Sequence, residues 1–272
     1  MKDFPFPKAP VFKRGWKEGA KLMSVQPVMP KCWRVDTKPH KFCPGCGHGL
    51  VLKALGEAVD ELGIQGRVVF GCDIGCSLLA WDFFNMDTVQ THHGRTIPVI
   101  TGLKRANPEL MGVAYMGDGG GYAIGAQHLV SSAVRNEKIT AILVNNTQYG
   151  MTGGQMAPTT MPGQKTETTP YGRDPEMTGT PTQGPEMVST ITAEGAYVAR
   201  GTVFNGRQLK GFIKKALENQ MAGRGYSFVE VLSLCPTNWR TNAEETWNMV
   251  NKVMPQYFKV GELKVPAETG GQ

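Results

Sequence analysis

Two groups of residues in this 272-residue chain have types and spacings suited to chemistry. The first begins with Gly117-Asp118-Gly119, continues through Gly120 and Gly121, and closes with Asn145-Asn146. An aspartate at the end of an apolar run points a carboxylate into the crevice beyond a sheet. Consecutive glycines leave backbone N–H groups bare where the next segment starts, a setting that favours a phosphate oxygen. Asn146 adds a neutral oxygen, and a hard divalent ion takes such oxygens into an octahedral shell that a diphosphate completes. Either half alone is an ordinary turn or strand end. The two together, with one helix and one strand between them, point to a diphosphate held through a metal.

The second group is the cysteines. Cys43 and Cys46 form a C-x2-C pair, Cys72 and Cys76 follow an apolar run, Cys235 precedes Pro236, and Cys32 stands alone. A zinc knuckle would need two further ligands, and no second pair of matching spacing exists. A cysteine before proline is common at the last ligand position of iron–sulfur proteins. Spacing alone leaves zinc and a four-iron cluster both open. In a chain of this length with no secretory features, metal or redox use is favoured over disulfides.

The elements that must position these groups follow from hydrophobic pattern. LVLKALGEAVDEL reads as an amphipathic helix capped at Gly63. RVVFGC (67–72), MGVAYMGD (111–118) and ITAILVNN (139–146) read as buried strands, with a helix over AIGAQHLVSSAVRN between the last two. A helix from about Pro185 to Arg200, another around GRQLKGFIKKALENQ and the strand YSFVEVLSL follow. Continuous apolar strands alternating with helices predict an α/β fold with a mostly parallel sheet covered on both faces. Residues 147–187, rich in Gly, Pro and Thr, break the pattern just where ligands bind in open sheets, and read as a cofactor-covering loop.

The motifs FCPGCGHG, GCDIGCS, THHGRTIPVITGLKRANPEL, MGDGGGYAIG, NNTQYGMTGGQ and LCPT occur in that order over most of residues 42–240. Together the chain resembles the β subunit, which binds thiamine diphosphate, of 2-oxoacid:ferredoxin oxidoreductases. The resemblance implies a pyrophosphate-type thiamine-binding fold with Mg2+ held by Asp118, Asn146 and the Gln148 carbonyl. Gly119, Gly120, Gly150 and Met151 would lie beside the diphosphate, with His93 near it, and Ile74, Gly75, Cys76 and Ser77 in the cofactor pocket. It implies a single [4Fe–4S] cluster on Cys43, Cys46, Cys76 and Cys235, leaving Cys32 and Cys72 as ordinary thiols. His40, His48, His92 and His128 gain no role from it. The implied activity is oxidative decarboxylation of a 2-oxoacid to acyl-CoA and CO2, with electrons passing through the cluster to ferredoxin. No catalytic residue is identified in this chain, because the activating glutamate belongs to an α subunit carrying the pyrimidine-type domain. The γ subunit and a ferredoxin-like δ subunit would complete a hetero-oligomer. PTTMPGQKTETTPYGRDPE is similar to branched-chain (2-oxoisovalerate) members, with 2-oxoglutarate the alternative. A non-redox thiamine decarboxylase or synthase and a structural zinc or iron–sulfur subunit are the competing classes.

The formal charge is +6. Residues 1–41 carry ten Lys or Arg against three Asp or Glu, so the rest of the chain, with nineteen and twenty, is near neutral. This segment, interleaved with Phe4, Phe6, Phe12, Trp16 and prolines, reads as an extended arm on an acidic partner surface, with a disordered solvated tail as the alternative. Nothing in the body supports nucleic-acid binding. The domain reading is an arm at 1–41, a cofactor domain at 42–255 and a tail at 256–272. No apolar run suits a membrane span or secretory signal, so the expected location is the cytoplasm.

Overall fold

The structure, a computed structural model, describes residues 29–267. In chain order its elements are helix α1 (His48–Leu62), strands β1 (Val68–Cys72) and β2 (Asp87–Gln90), α2 (Thr96–Ala106), β3 (Met111–Gly117), α3 (Ala126–Val134) and β4 (Thr140–Asn145). A small hairpin of β5 (Gln148–Tyr149) and β6 (Gln155–Met156) follows, then α4 (Pro175–Thr178), α5 (Gly184–Ile191) and β7 (Tyr197–Thr202). The chain continues with α6 (Gly206–Met221), β8 (Ser227–Leu232), α7 (Pro236–Trp239), α8 (Ala243–Asn248), α9 (Met254–Tyr257) and β9 (Gly261–Lys264).

Seven strands form one sheet in the order β2-β1-β3-β4-β8-β7-β9. All neighbours are parallel except β9, which pairs antiparallel with β7. Every residue of β1, β4 and β8 is buried, as parallel strands covered on both faces require. One face packs against α1 and α6, the other against α2, α3 and α5, giving the two apolar cores. From β1 the chain steps outward to β2 and then crosses to β3 on the other side. The crevice beyond the C-terminal ends of β1 and β3 is therefore the topological switch point, where open sheets bind ligands.

The helix read over 185–200 is corrected. It stops at Ile191, and Tyr197–Thr202 is a strand deep in the sheet. Arg200 hid it: a charged residue in mid-strand reads as the polar face of a helix, yet its side chain is fully buried. The Arg200 guanidinium donates to both Glu186 carboxylate oxygens at 2.6 and 2.7 Å and to Glu230 Oε2 at 3.3 Å. Glu230 also accepts from Tyr122 OH at 2.7 Å and Asn145 Nδ2 at 2.6 Å. The helix read over 123–136 begins instead with a π-type turn, Gly120–Ile124, and α3 starts at Ala126.

Cys32 is fully buried and Trp33 bridges to Phe84, so residues 29–41 pack on the body. Beyond 255, Phe258 is fully buried and β9 extends the sheet, so residues 256–264 are integral to it. Residues 1–28, most of the expected arm, lie outside the described residues. No helix among the described residues is long and apolar enough to cross a membrane.

Candidate functional site

At the switch point lies a cavity of about 210 Å³. Its wall takes Ile74, Gly75, Cys76 and Ser77 from the turn after β1, and His93 from the turn before α2. The turn after β3 contributes Asp118, Gly119 and Gly120, and the segment after β4 contributes Asn146, Gln148, Gly150 and Met151. Every residue that the resemblance assigned to diphosphate, Mg2+ or pocket thus borders one space, whereas Gly121 does not.

The glycine turn is shaped by its neighbours. A Cβ on Gly119 would strike the Tyr149 ring, and one on Gly120 would strike Asp73 Oδ2. Asp118 is 2% exposed. Its Oδ1 accepts from Gly119 N at 2.9 Å and its Oδ2 from Thr159 Oγ1 at 2.5 Å. Burial pushes its carboxyl up to about 7, the two hydrogen bonds oppose the rise, and the Glu230 charge adds to it. A buried carboxylate under that pressure is suited to a divalent cation, which would restore the charged form.

Asn146 Oδ1 accepts from Gln148 N at 3.2 Å. Between them Thr147 has φ +62°, a region a β-branched residue rarely adopts. Such strain costs about 1–3 kcal/mol. It is offset by bonds from Thr147 N to Asn145 Oδ1 (3.1 Å), Thr160 Oγ1 to the Thr147 carbonyl (2.5 Å) and Gln164 Nε2 to Thr147 Oγ1 (2.7 Å). Thr159, Thr160 and Gln164 belong to the segment read as a covering loop, which is folded. Arg173 holds it, donating to the carbonyls of Pro158, Thr160, Thr178 and Thr180 at 3.1, 2.5, 3.1 and 3.2 Å.

The cysteines divide into two kinds. Burial pushes the Cys76 thiol up to about 12, with further rises from Cys46, Cys235 and Cys43, so the four thiols are electrostatic neighbours. Cys46 is likewise pushed up to about 11 by burial, and Cys235 and Cys43 add to the rise. Cys235 is raised by burial and pulled back by the N–H groups of Asn238 and Thr237 and by the adjacent Gln148 amide. That amide's Nε2 makes no regular hydrogen bond, so the contact is a loose one. By contrast, Cys32 lies against the Gly56 carbonyl and Asp60, and Cys72 lies in β1 near Asp73 and Asp82. Among the described residues, no three or more of His, Cys, Asp and Glu are arranged to hold a single metal ion. Metal-bound thiolates reverse the direction of these shifts, since a bound cation deprotonates the thiol.

Besides Thr159 and Arg173, four contributors escaped the sequence reading. Asp73, fully buried at the end of β1, accepts from Gly94 N at 2.8 Å while its Oδ2 has no partner. His48 lines the cavity, stacks on Phe42 and shares a 2.5 Å bond with Tyr115 OH. Burial holds its imidazole down at about 3, so it is neutral. Asn238 Nδ2 donates to the Gly150 carbonyl at 2.8 Å, and Trp239 Nε1 to the Asn146 carbonyl at 3.1 Å. Only Asp73 had a signal, an aspartate ending β1 as Asp118 ends β3. Of the other histidines, His128 lies on α3 and His40 stacks on Phe83 away from the cavity.

Residues 73–231 match the family model described as thiamine pyrophosphate enzyme, C-terminal TPP binding domain. The chain is 43% identical over 226 residues to ketoisovalerate oxidoreductase subunit VorA of Methanothermobacter thermautotrophicus, covering 82% of this chain and 47% of that protein. It is 42% identical over 208 residues to 2-oxoglutarate synthase subunit KorB of the same organism, covering 75% and 68%. The fold is similar to 2-oxoglutarate:ferredoxin oxidoreductase from Magnetococcus marinus with 2-oxoglutarate, coenzyme A and succinyl-CoA bound. There the TM-score is 0.70 at 32% identity over 82% of this chain and 72% of that one. The chain spans about half the length of VorA.

Proposed function

The chain belongs to the thiamine-diphosphate-binding family, among the β-type subunits of 2-oxoacid:ferredoxin oxidoreductases, and from that premise we propose that it is the cofactor-binding half of a CoA-acylating 2-oxoacid oxidoreductase. The reaction is oxidative decarboxylation of a 2-oxoacid to acyl-CoA and CO2, with electrons passed to ferredoxin. What carries this reading is one arrangement: the Asp118, Asn146 and Gln148 donors border the same cavity as Cys76, whose thiol is a neighbour of Cys43, Cys46 and Cys235. A non-redox thiamine enzyme has no use for those four thiols there, and a structural zinc or iron–sulfur subunit none for the metal donors.

In this reading Asp118, Asn146 and the Gln148 carbonyl hold Mg2+, and the four cysteines hold a [4Fe–4S] cluster. Bound thiamine diphosphate supplies the electron sink that decarboxylation requires. The chain's own residues orient and exclude water. Thr159 fixes the Asp118 carboxylate, Tyr149 and Asp73 shape the turn that receives the diphosphate, and Ile124 and Met151 give the cavity an apolar rim. The activating glutamate and remaining clusters come from α, γ and δ subunits, and the basic N-terminal arm binds one of them. We assign a branched-chain 2-oxoacid as substrate, on the similarity of residues 158–176 to such members and the longer match to the ketoisovalerate subunit. 2-Oxoglutarate is the alternative.

The test is anaerobic purification of the whole complex. The expected result is about four irons per copy of this subunit beyond those of its partners, bound thiamine, and CoA-dependent reduction of a viologen fastest with 2-oxoisovalerate. Zinc in place of iron, or decarboxylation indifferent to CoA and acceptor, refutes the class. A preference for 2-oxoglutarate refutes only the substrate.

A further inference from the structure

The five residues Asn146–Gly150 touch both cofactor sites. On one side they line the cavity through Asn146, Gln148, Tyr149 and Gly150. On the other they are fastened to the segment that begins with Cys235. Trp239 Nε1 donates to the Asn146 carbonyl at 3.1 Å and Asn238 Nδ2 to the Gly150 carbonyl at 2.8 Å. A Cβ placed on Gly150 would lie 3.1 Å from Cys76 Sγ and 3.7 Å from Cys235 Sγ, so two cluster thiols abut this loop.

The fastening segment cannot hold itself. α7 is four residues long, far short of an independently stable helix. Inside it the Trp239 N–H reaches the Cys235 carbonyl at 3.0 Å, and Arg240, at φ +54°, turns the chain away. Buried Leu234, the packing of Trp239 on the core and an Arg240–Glu167 ion pair place it roughly, and its fine position is set by the Cys235 sulfur and by the amide and indole that grip the loop. Fixing the sulfur in a cluster orders the grip, and ordering the loop around a metal–diphosphate orders the sulfur. A group that has already been ordered by one ligand costs less to order for the second.

We propose that Cys235–Trp239 couples the two sites, with Asn238 and Trp239 as positioning residues, so that a filled cluster site tightens the diphosphate site and the reverse. The inference rests on the function proposed above. Reciprocity is required of any such coupling, and couplings of this kind are typically about 5–150-fold.

The experiment uses the whole complex, wild type and the double variant Trp239→Phe/Asn238→Ala, each iron-loaded and iron-depleted by chelation. Mg–thiamine diphosphate is titrated by calorimetry. For the wild type, affinity at least about fivefold tighter with iron is expected. For the variant, the ratio of the two affinities falls toward one. The reciprocal readout is iron retained after a fixed chelator exposure: higher with Mg–thiamine diphosphate in the wild type, indifferent to it in the variant. A merely structural role for α7 would weaken both forms by one factor and leave the ratio standing, which overturns the proposal. So does a wild-type ratio of one. Wild-type complex that holds iron and thiamine diphosphate with no coupling defeats this inference alone, whereas complex that holds neither defeats the proposed function beneath it.

Discussion

Arg173→Ala should unlock the segment over the metal loop. The guanidinium is 5% exposed and serves four carbonyls, of Pro158, Thr160, Thr178 and Thr180. A hydrogen bond from a charged donor is worth about 1.5–3 kcal/mol, and a buried carbonyl left bare costs about 1–3 kcal/mol. Taking the lower figure for all four and returning about half to the cation's own desolvation leaves roughly 3 kcal/mol. The segment lies outside the sheet, so the loss appears as local opening rather than global unfolding. In hydrogen exchange, amides of 157–182 should lose protection by about 100-fold while β3, β4 and β8 keep theirs. Because Thr159 and Thr160 sit between the Arg173 contacts, Mg–thiamine diphosphate affinity of the complex should fall along with that protection. Arg173→Lys, which reaches fewer carbonyls, should fall between. Unchanged protection over 157–182, or normal affinity in spite of lost protection, would refute the argument that Arg173 orders the site.

Thr159→Val removes the hydroxyl that fixes Asp118 Oδ2 and should weaken Mg–thiamine diphosphate binding by about 1 kcal/mol, near fivefold, whereas Asp118→Ala should abolish it with cluster absorbance intact; titration of the complex measures both. Serine at Cys43, Cys46, Cys76 or Cys235 should each remove about four irons, and serine at Cys32 or Cys72 none, by elemental assay of anaerobic protein. Glu230→Gln removes the fully buried one of the two carboxylates that face Arg200 and should cost about 3 kcal/mol in denaturant unfolding of the complex, more than Glu186→Gln, whose carboxylate is part-exposed. Deleting residues 1–28 should weaken assembly on size-exclusion chromatography more at low than at moderate salt, because salt screens the arm's charges, while leaving cofactor content unchanged; assembly equal to that of the full chain at both salts would remove the arm from the interface.

What could be read in advance was whatever depends on local pattern. β1, β3, β4 and β8 are continuous apolar runs, and α1 carries an amphipathic stripe that ends in a left-handed Gly63. β2 is a half-exposed edge strand of four residues and has too little pattern to be found. β7 carries Arg200, whose burial makes sense only with Glu186 and Glu230, residues from two other elements. The site follows the same division. Asp118, Asn146 and the pocket turn announce themselves because each motif is contiguous. Thr159, Arg173, Asn238 and Trp239 reach partners up to 41, 15, 88 and 93 positions away, and a threonine, arginine, asparagine or tryptophan carries no mark of which distant acceptor it will serve.

The strand order has a consequence for how the protein is made. β7 leaves the ribosome before β8, yet it has no place in the sheet until β8 arrives, because β8 lies between it and β4. About thirty residues of nascent chain, α6 included, must wait unpaired for their inner neighbour. The arrival of β8 then does two things at once. It closes the gap so that β7 and later β9 can add outward, and it carries Cys235 to the mouth of the crevice where Cys46 and Cys76 already stand. Such long-range closure is slow, since the loop entropy is lost before any contact rewards it. With the cluster assigned to these cysteines as proposed above, iron delivered during synthesis would meet three thiols and a missing fourth, so loading would follow completion of the sheet rather than guide it.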